Sequence, residues 1–264
     1  MIKLMSFNIR YALADDGENR WEQRKSLVIE RIKTFDPDLL GLQECRADSQ
    51  AEFIKSNLQE YKFLGQPRGG GSVTAPEMAP ILIRRSAFHI RQWETFWLSE
   101  TPHIPGSKSW GSVFPRTATW VDLFHPASGR SLIFVNTHFD YESSAIDASA
   151  LLLSQWIEEA IGHFPLLMTG DFNADKSSSA YRQLAEGSSP LRDIFRTGNR
   201  ELLTEGTFHG YGRESSPSSI DWILTSDHFA VQKAGIDRYR EGGLYPSDHY
   251  PVLATLNWKS VTTE

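Results

Sequence analysis

The sequence predicts an α/β fold built on mixed sheets. A strand–helix–strand pattern opens the chain, a similar pattern recurs towards its end, and a run of strands lies between them. Two sheets packed face to face with helices outside suit these elements. The 264 residues are 40% hydrophobic and 12% aromatic, which excludes a disordered chain. Because no internal repeat or linker of distinct composition is visible, we expect a single domain over residues 1–264.

The first part of the chain alternates strands and helices. Ile2–Asn8 is typical of a buried strand, and apolar residues from Trp21 to Phe35 recur at helical spacing. The sequence Asp36-Pro37-Asp38 ends that helix. The following predicted elements are a strand at Asp38–Gln43, a helix at about Ser49–Leu58 and a glycine-rich turn at 69–71.

The middle of the chain is rich in strands, and its last part returns to mixed elements. β-Branched and aromatic runs bounded by Pro, Gly and Ser predict strands at Pro80–Arg84, Ile90–Leu98, Thr117–Phe124 and Ser131–Thr137. A long helix is predicted over Ser143–His163, where apolar residues share one face. Further along, we expect strands at Pro165–Thr169, Ser219–Leu224, Ala230–Asp237 and Pro251–Trp258, and a short helix near Ser178–Leu184.

Composition narrows the classes of function. Cys45 is the only cysteine, so the chain forms no internal disulfide and no Cys-rich zinc site. The N-terminus does not look like a secretion signal, and no apolar run is long enough to span a membrane, so we expect a reducing cytoplasm. The net charge of −6 and the lack of a run of five basic residues disfavour broad capture of polyanions.

Polar residues follow several predicted buried strands at the point where each strand ends. Such residues converge on one rim in α/β proteins, where ligands bind. Each one alone has an ordinary structural explanation, such as capping a turn or pairing within the core. Their number is what favours a site: Asn8, Glu44, His138, Asp171 and Asn173 follow strands, Asp221 lies near the start of one, and Asp248 and His249 precede the last one.

Together these residues resemble the endonuclease/exonuclease/phosphatase superfamily, which includes DNase I. The matching segments run in family order along the chain: Ser6-Phe7-Asn8-Ile9-Arg10, Gln43-Glu44, Asn136-Thr137-His138, Gly170-Asp171-Phe172-Asn173, Ser219-Ile220-Asp221-Trp222 and Ser247-Asp248-His249-Tyr250-Pro251-Val252. Each segment is weakly specific alone, but the set is highly specific. The resemblance implies a four-layered α/β/β/α sandwich, a DNase I-like fold.

The resemblance also implies a hydrolase that uses Mg²⁺, with Mn²⁺ as a substitute, to cleave a phosphomonoester or phosphodiester by in-line attack of water. Phosphoester hydrolysis needs positioning and charge neutralisation, and Mg²⁺ prefers oxygen ligands. We expect the metal at Glu44, with Asn8 beside it and Asp248 completing or supporting the shell. The expected catalytic residues are Asp171 as base, Asn173, His138 and His249 as donors, and Asp221 as the residue that fixes the tautomer of His249.

Three more residues are weaker candidates. Arg116 is a candidate phosphate clamp because a guanidinium binds phosphate through two hydrogen bonds, although a surface ion pair explains it equally well. Trp110, in a Pro/Gly/Ser loop, is the best candidate for an aromatic that faces substrate, whereas Trp97 and Trp222 are expected in the core. By the resemblance, Glu77 orients His138. We expect Asp140 to be solvated.

Substrate identity is not readable from the sequence. The substrate is a phosphorylated small molecule, a lipid head group or a nucleic acid, and no obligate protein partner is evident. A nuclease is the main alternative, a binding scaffold without turnover is a second, and a glycosidase fails to explain the histidines and asparagines. Specificity is expected in the rim loops at about 12–20, 65–78, 99–113 and 204–217.

Overall fold

The structure, a computed structural model, describes residues 1–71, 75–214 and 218–260, so parts of two predicted rim loops lie outside it. The strands are β1 (Ile2–Asn8), β2 (Leu39–Gln43), β3 (Cys45–Arg46), β4 (Tyr61–Leu64), β5 (Glu77–Met78), β6 (Ile81–Arg84), β7 (His89–Trp97), β8 (Thr117–His125), β9 (Arg130–His138), β10 (Leu166–Asp171), β11 (Leu191–Asp193), β12 (Asp221–Ser226), β13 (Phe229–Ile236) and β14 (Val252–Trp258). The helices are α1 (Trp21–Phe35), α2 (Ser49–Asn57), α3 (Ser143–Trp156), α4 (Ser179–Ala185) and α5 (Ile194–Gly198).

Two six-stranded mixed sheets form the centre of the fold. Their strand orders are β13-β14-β1-β2-β6-β4 and β11-β12-β10-β9-β8-β7. Each sheet contains one parallel pair near its middle, β1 with β2 and β10 with β9, and the other pairs are antiparallel. This confirms the predicted α/β class with mixed sheets.

The apolar clusters define the layers. One cluster joins the two sheets, with Leu4 and Ile83 of the first sheet and Phe134 and Ile223 of the second. A second cluster packs α1 and α2 on the outer face of the first sheet, and a third packs α3 and α4 on the outer face of the second. The four-layered α/β/β/α sandwich is therefore confirmed.

Strand register brings three predicted site residues together. Asp171 at the end of β10 lies opposite His138 at the end of β9 and opposite Asp221 at the start of β12. In the first sheet, Asn8 ends β1 opposite Gln43 of β2, and Glu44 follows directly. The two sheets thus present their polar strand ends at one edge of the sandwich.

A buried polar network joins the sheets just behind this edge. Asn136 Nδ2 donates to the carbonyl oxygens of Leu42 (2.7 Å) and Pro80 (2.9 Å). Its Oδ1 accepts from Gln43 Nε2 (2.7 Å) and Thr169 Oγ1 (2.9 Å). Because both its Nδ2 and its Oδ1 are hydrogen-bonded, this fully buried asparagine leaves no polar atom of its side chain unsatisfied. It also holds the two sheets in one relative position.

Two sequence predictions need correction. The helix predicted over Ser143–His163 is α-helical only to Trp156 and continues as a π-helical turn, Ile157–Ile161, which ends at Gly162 in a left-handed conformation (φ 56°). The predictions omitted β4, β11 and α5, which are three to five residues long and therefore too short for a clear periodicity. No helix in the described part of the chain has the length and hydropathy needed to cross a bilayer.

Candidate active site

The two sheets contact each other directly at the site through Asn8. Its Nδ2 donates to Asp171 Oδ2 (2.8 Å) and to Glu44 Oε1 (3.1 Å). Its Oδ1 accepts from the backbone N–H of Arg10 (2.9 Å). Glu44, which adopts a left-handed backbone conformation (φ 59°), also accepts from the backbone N–H of Tyr11 (3.0 Å). A single amide therefore fixes two buried carboxylates that come from different sheets.

Two histidines flank Asp171. Its Oδ2 lies 3.6 Å from His138 Nε2 and 3.7 Å from His249 Nε2. His249 Nδ1 lies 2.8 Å from Asp221 Oδ2, so Asp221 holds the proton on Nδ1 and fixes the ring. These side chains are all buried. The structure thus brings the expected catalytic residues to one point.

Burial and local charge give the histidines opposite protonation states. Burial lowers the pKa of His138 well below 6.5, and the nearby Arg116 and Arg68 guanidinium groups lower it further. Burial also disfavours the charged form of His249, but the carboxylates of Asp221 and Asp171 outweigh it and raise its pKa to about 10. The site therefore holds one neutral imidazole and one imidazolium.

The environment of Asp171 brings its pKa close to neutral pH. Burial raises its pKa to about 7, and repulsion from the Asp221 carboxylate acts in the same direction. The His249 imidazolium and the hydrogen bonds from Asn8 and the Asn173 backbone N–H oppose this rise. A general base works best with a pKa near the operating pH, so this environment suits a residue that takes a proton from water.

Arg10 separates Asp248 from the other carboxylates. Its guanidinium lies 3.6 Å from Asp248 Oδ2 and 4.0 Å from Glu44 Oε2, and it pairs through two hydrogen bonds with Asp16 (both 3.1 Å). Burial raises the pKa of Asp248, and the negative charge of Glu44 adds to this. Sequence reasoning did not single out Arg10, although it lies within the quoted motif Ser6-Phe7-Asn8-Ile9-Arg10.

These residues open into a cavity of about 540 Å³. That volume is typical of a site for a small ligand. Its wall contains charged, aromatic and small residues; they are Arg10, Asp16, Glu44, Tyr141, Asp171, Asn173, Phe208, Gly210, Tyr211, Arg213, Glu214, Ser218, Ile220, Asp248 and His249. The aromatic side chains in this wall were not predicted, because nothing in their local sequence distinguishes them from core aromatics.

The donor set fits a hard divalent cation. Ligand atoms of Glu44, His138 and Asp171 lie within 4.8 Å of one another. The two carboxylates are the oxygen donors of this group, whereas His138 Nε2 is a nitrogen that is buried without a hydrogen-bond partner among the described residues, and it is available as a donor to an anionic oxygen. Carboxylate oxygens suit Mg²⁺, which needs only one or two of them. Asn8 presents its nitrogen to the carboxylates and contributes an oxygen only if the amide turns over.

Arg116 is a buried residue and not a surface one. Only 3% of its side chain is exposed, and its Nε donates to Asp140 Oδ2 (3.2 Å). Nη1 and Nη2 lack a partner within the described structure. The expectation of a solvated Asp140 is wrong: it is 1% exposed because it also accepts from the backbone N–H groups of Val113 and Phe114.

Two other predicted residues do not make the expected contacts. Glu77 Oε1 accepts from Arg68 Nη2 (2.8 Å), and no hydrogen bond joins His138 to Glu77 among the described residues. Trp110 is absent from the described lining of the cavity, and Ser144 Oγ donates to its carbonyl oxygen (2.8 Å).

Asn173 does line the cavity, and its Nδ2 donates to the Phe139 carbonyl oxygen (2.9 Å). Trp97 and Trp222 are in the core as predicted.

Comparison with known proteins identifies the family of the chain. The chain matches the model of the Endonuclease/Exonuclease/phosphatase family over residues 5–249. The chain belongs to this family. Membership places the protein among hydrolases of phosphoester bonds, and it accounts for the order of the matched segments along the chain.

Three relatives within the endonuclease/exonuclease/phosphatase family illustrate its range. A family protein from Bacteroides vulgatus is 32% identical, with a TM-score of 0.88 over 98% of this chain and 99% of that chain. The Bacteroides thetaiotaomicron mannosyl-6-phosphatase is 29% identical, with a TM-score of 0.86 over 98% of this chain and all of that chain. The CCR4-Not complex 3'-5'-exoribonuclease subunit Ccr4 from Emericella nidulans is 22% identical over 67% of this chain and 34% of that protein.

Proposed function

We propose that the chain, as one domain over residues 1–264, is a Mg²⁺-dependent phosphomonoesterase acting on a small phosphorylated molecule, with a phosphorylated sugar as the favoured class. One observation carries this proposal: Glu44, Asp171 and His249 line a cavity of about 540 Å³, while Asn8 and His138 lie against Asp171 just behind its wall. The likeness to a mannosyl-6-phosphatase over almost the whole chain supports the substrate class.

The roles follow from charge and position. Glu44 would hold the cation, and Asn8 would orient the Glu44 carboxylate through its Nδ2. Asp248 would support this shell by holding Arg10, which lies between Asp248 and Glu44. The cation supplies charge neutralisation at the phosphoryl oxygens. Asp171 orients the attacking water and takes its proton. His249, kept protonated by Asp221, donates to the reacting phosphoryl group, while His138 and Asn173 donate from the other side.

Arg116 is the proposed clamp for a phosphoryl oxygen. Its two terminal nitrogens lack partners within the described structure, and it lines a small void with His138. A buried donor without a partner is costly, so an anionic oxygen at this point satisfies a group that the protein alone leaves unpaired. A guanidinium offers the planar fork that suits phosphate.

A nuclease is the second candidate, favoured by the likeness to the Ccr4 exoribonuclease subunit. The net charge of −6 opposes it, as do Asp16 and Glu214 in the cavity wall, because binding to a nucleic acid backbone depends on positive charge.

A substrate panel tests the proposal. Hexose phosphates, nucleotides, phospholipid head groups and oligonucleotides are assayed for release of phosphate or for cleavage, each with Mg²⁺, Mn²⁺ or a chelator. We expect hexose phosphates to give the highest kcat/KM and the chelator to abolish turnover. Preferred cleavage of oligonucleotides, or turnover unaffected by the chelator, would overturn the proposal.

A further inference from the structure

We propose that Phe114 and Tyr141 form a ring-binding subsite, here called the ring platform, which takes the apolar face of a pyranose ring in the leaving group of the substrate. The inference rests on the proposed function in one respect, namely that the leaving group is a sugar. It assigns a role to two aromatic side chains that lie outside the catalytic set and that sequence reasoning did not single out.

Both aromatic rings are exposed. Tyr141 is 55% exposed and Phe114 is 38% exposed, and their neighbour Val113 is 46% exposed. Exposed apolar side chains that lie singly are ordinary, but a group of them beside a polar cavity marks a binding surface. Tyr141 is itself part of the wall of the catalytic cavity. Phe114 lies outside this wall and is linked to Tyr141 through the Arg116 guanidinium, which both rings contact.

The ring platform is rigid although it is exposed. The buried Asp140 carboxylate accepts hydrogen bonds from the backbone N–H groups of Val113 (3.0 Å) and Phe114 (3.1 Å) and from Arg116 Nε (3.2 Å). Tyr141 follows Asp140 directly in the chain. One carboxylate therefore fixes the backbone at both aromatic residues, which reduces the entropy lost when a ligand binds.

Buried cations support the two rings. The Arg116 guanidinium lies 5.1 Å from the Tyr141 ring centroid and 5.6 Å from that of Phe114, and the Arg68 guanidinium lies 4.5 Å from the Phe114 ring. Each ring therefore has a cation packed against it from within the protein. Exposed ring surface remains on both side chains, and it is available to a ligand.

The rest of the cavity wall identifies the kind of ring. An ion pair lines it, in which Arg10 donates to Asp16, and Tyr211 Oη also donates to Asp16 Oδ2 (3.2 Å). The wall therefore offers both donors and acceptors, which suits the hydroxyls of a sugar because a hydroxyl both donates and accepts. A pyranose placed with its C–H face on the ring platform would direct its hydroxyls to this wall and its phosphate to Asp171.

A matched pair of substrates tests the ring platform. Glucose 6-phosphate has a ring, whereas sorbitol 6-phosphate has the same carbons and phosphate without one. In Tyr141→Ala and in Phe114→Ala we expect the ratio of kcat/KM for the ring substrate over the acyclic one to fall about tenfold, because each variant loses apolar contact with the ring face, and a tenfold change corresponds to about 1.4 kcal/mol. Tyr141→Phe, which keeps the ring, restores the ratio.

Phe164→Ala is the control variant, because Phe164 is 39% exposed and lies outside the cavity wall; its ratio stays at the wild-type value. Equal losses on both substrates in Tyr141→Ala would overturn the proposal. So would a loss confined to adenosine monophosphate, which would assign the ring platform to a nucleobase.

Binding without turnover separates this inference from the proposed function. Methyl α-glucoside has the ring but no phosphate, and saturation-transfer NMR detects its contact with the intact protein. We expect a signal with the wild type that weakens in Tyr141→Ala and persists in Phe164→Ala. If no phosphoester is hydrolysed, the proposed function fails while this measurement still decides the inference; absence of the signal with the wild type overturns it.

Discussion

Asp171 is the residue on which the other side chains of the site converge. Its Oδ2 accepts from Asn8 Nδ2 and lies within 4 Å of a nitrogen from each histidine. Asp171→Asn keeps the shape but removes the base, so we expect kcat to fall by about 10²- to 10⁴-fold. Steady-state kinetics on the best substrate measure this, and thermal melting checks the fold.

The control for this change is Asp175→Asn, which alters an exposed carboxylate four residues along the chain and should leave kcat at the wild-type value. A kcat for Asp171→Asn within twofold of the wild type would remove Asp171 from the role of base.

A substitution at Glu44 tests its proposed role as a ligand of the metal ion. Glu44→Gln removes one negative charge from a buried cluster, so we expect the Kd for Mg²⁺ to rise about tenfold or more. Calorimetry measures the affinity directly, and activity should recover partly as Mg²⁺ is raised. Glu52→Gln, on the exposed face of α2, serves as the control. An unchanged Kd in Glu44→Gln would place the metal elsewhere.

The free energy of unfolding is expected to depend on pH through Asp140, and the direction follows from the pKa of this carboxyl. Burial alone would raise its pKa, but three backbone N–H groups and Arg116 outweigh this and hold the pKa below its ordinary value. A lowered pKa contributes stability above the unfolded-state value of about 3.9, and that stability is lost as pH falls through the folded-state value.

We therefore expect Asp140→Asn to lower the free energy of unfolding by about 3 kcal/mol at pH 7, as for a broken buried ion pair. The difference from the wild type should shrink once the pH falls below 4. Urea denaturation at several pH values measures it. A difference that is constant from pH 7 to pH 3 would show that the charge of Asp140 is not what stabilises the fold.

At the scale of elements, the packing of β2 against the second sheet depends on a glycine. A Cβ placed on Gly41 would lie 2.1 Å from Thr169 Oγ1 and 2.4 Å from Asn136 Oδ1. Gly41→Ala must therefore displace the buried network that joins the sheets, and we expect a loss of roughly 3 kcal/mol or more in the free energy of unfolding.

The control for Gly41→Ala is Gly235→Ala. Gly235 lies in β13, has no left-handed backbone, and has nothing within 4 Å of the added Cβ. Urea denaturation should show a change there of less than about 1 kcal/mol. Equal stability of Gly41→Ala and the wild type would contradict the packing described for the two sheets.

The hydrophobic pattern of the sequence predicted where the buried strands end, and the reason is physical. Buried strands such as β1 and β10 are mostly apolar, so the polar residue that ends each strand, Asn8 or Asp171, is visible in the sequence. Side chains whose role depends on a distant partner give no such signal. Glu77 pairs with Arg68 and Asp140 with Arg116, and neither pairing follows from local sequence.

At the scale of the whole molecule, the sequence predicted that the polar strand ends share one rim, but it did not reveal which of them contact each other. Asn8 and Asp171 are 163 residues apart in the chain yet hydrogen-bonded at 2.8 Å, and local sequence gives no sign of this pairing. The aromatic residue that was expected to face the substrate is a second example. Trp110 stood out because of its loop, whereas Tyr141 lines the cavity because Asp140, buried beside Arg116, positions it.

The overall charge of the molecule leads to a final prediction about its substrate. An enzyme that holds a nucleic acid through 6–10 phosphates loses about 10³- to 10⁵-fold in affinity between 50 and 200 mM salt, whereas a single phosphate contact implies only about three- to fourfold. With a net charge of −6, we expect the smaller effect on kcat/KM for a hexose phosphate at constant Mg²⁺. Single-stranded and duplex oligonucleotides are assayed over the same salt series. If an oligonucleotide is the better substrate and its cleavage falls steeply with salt, the protein is a nuclease, and the acidic wall of the cavity does not exclude polyanions.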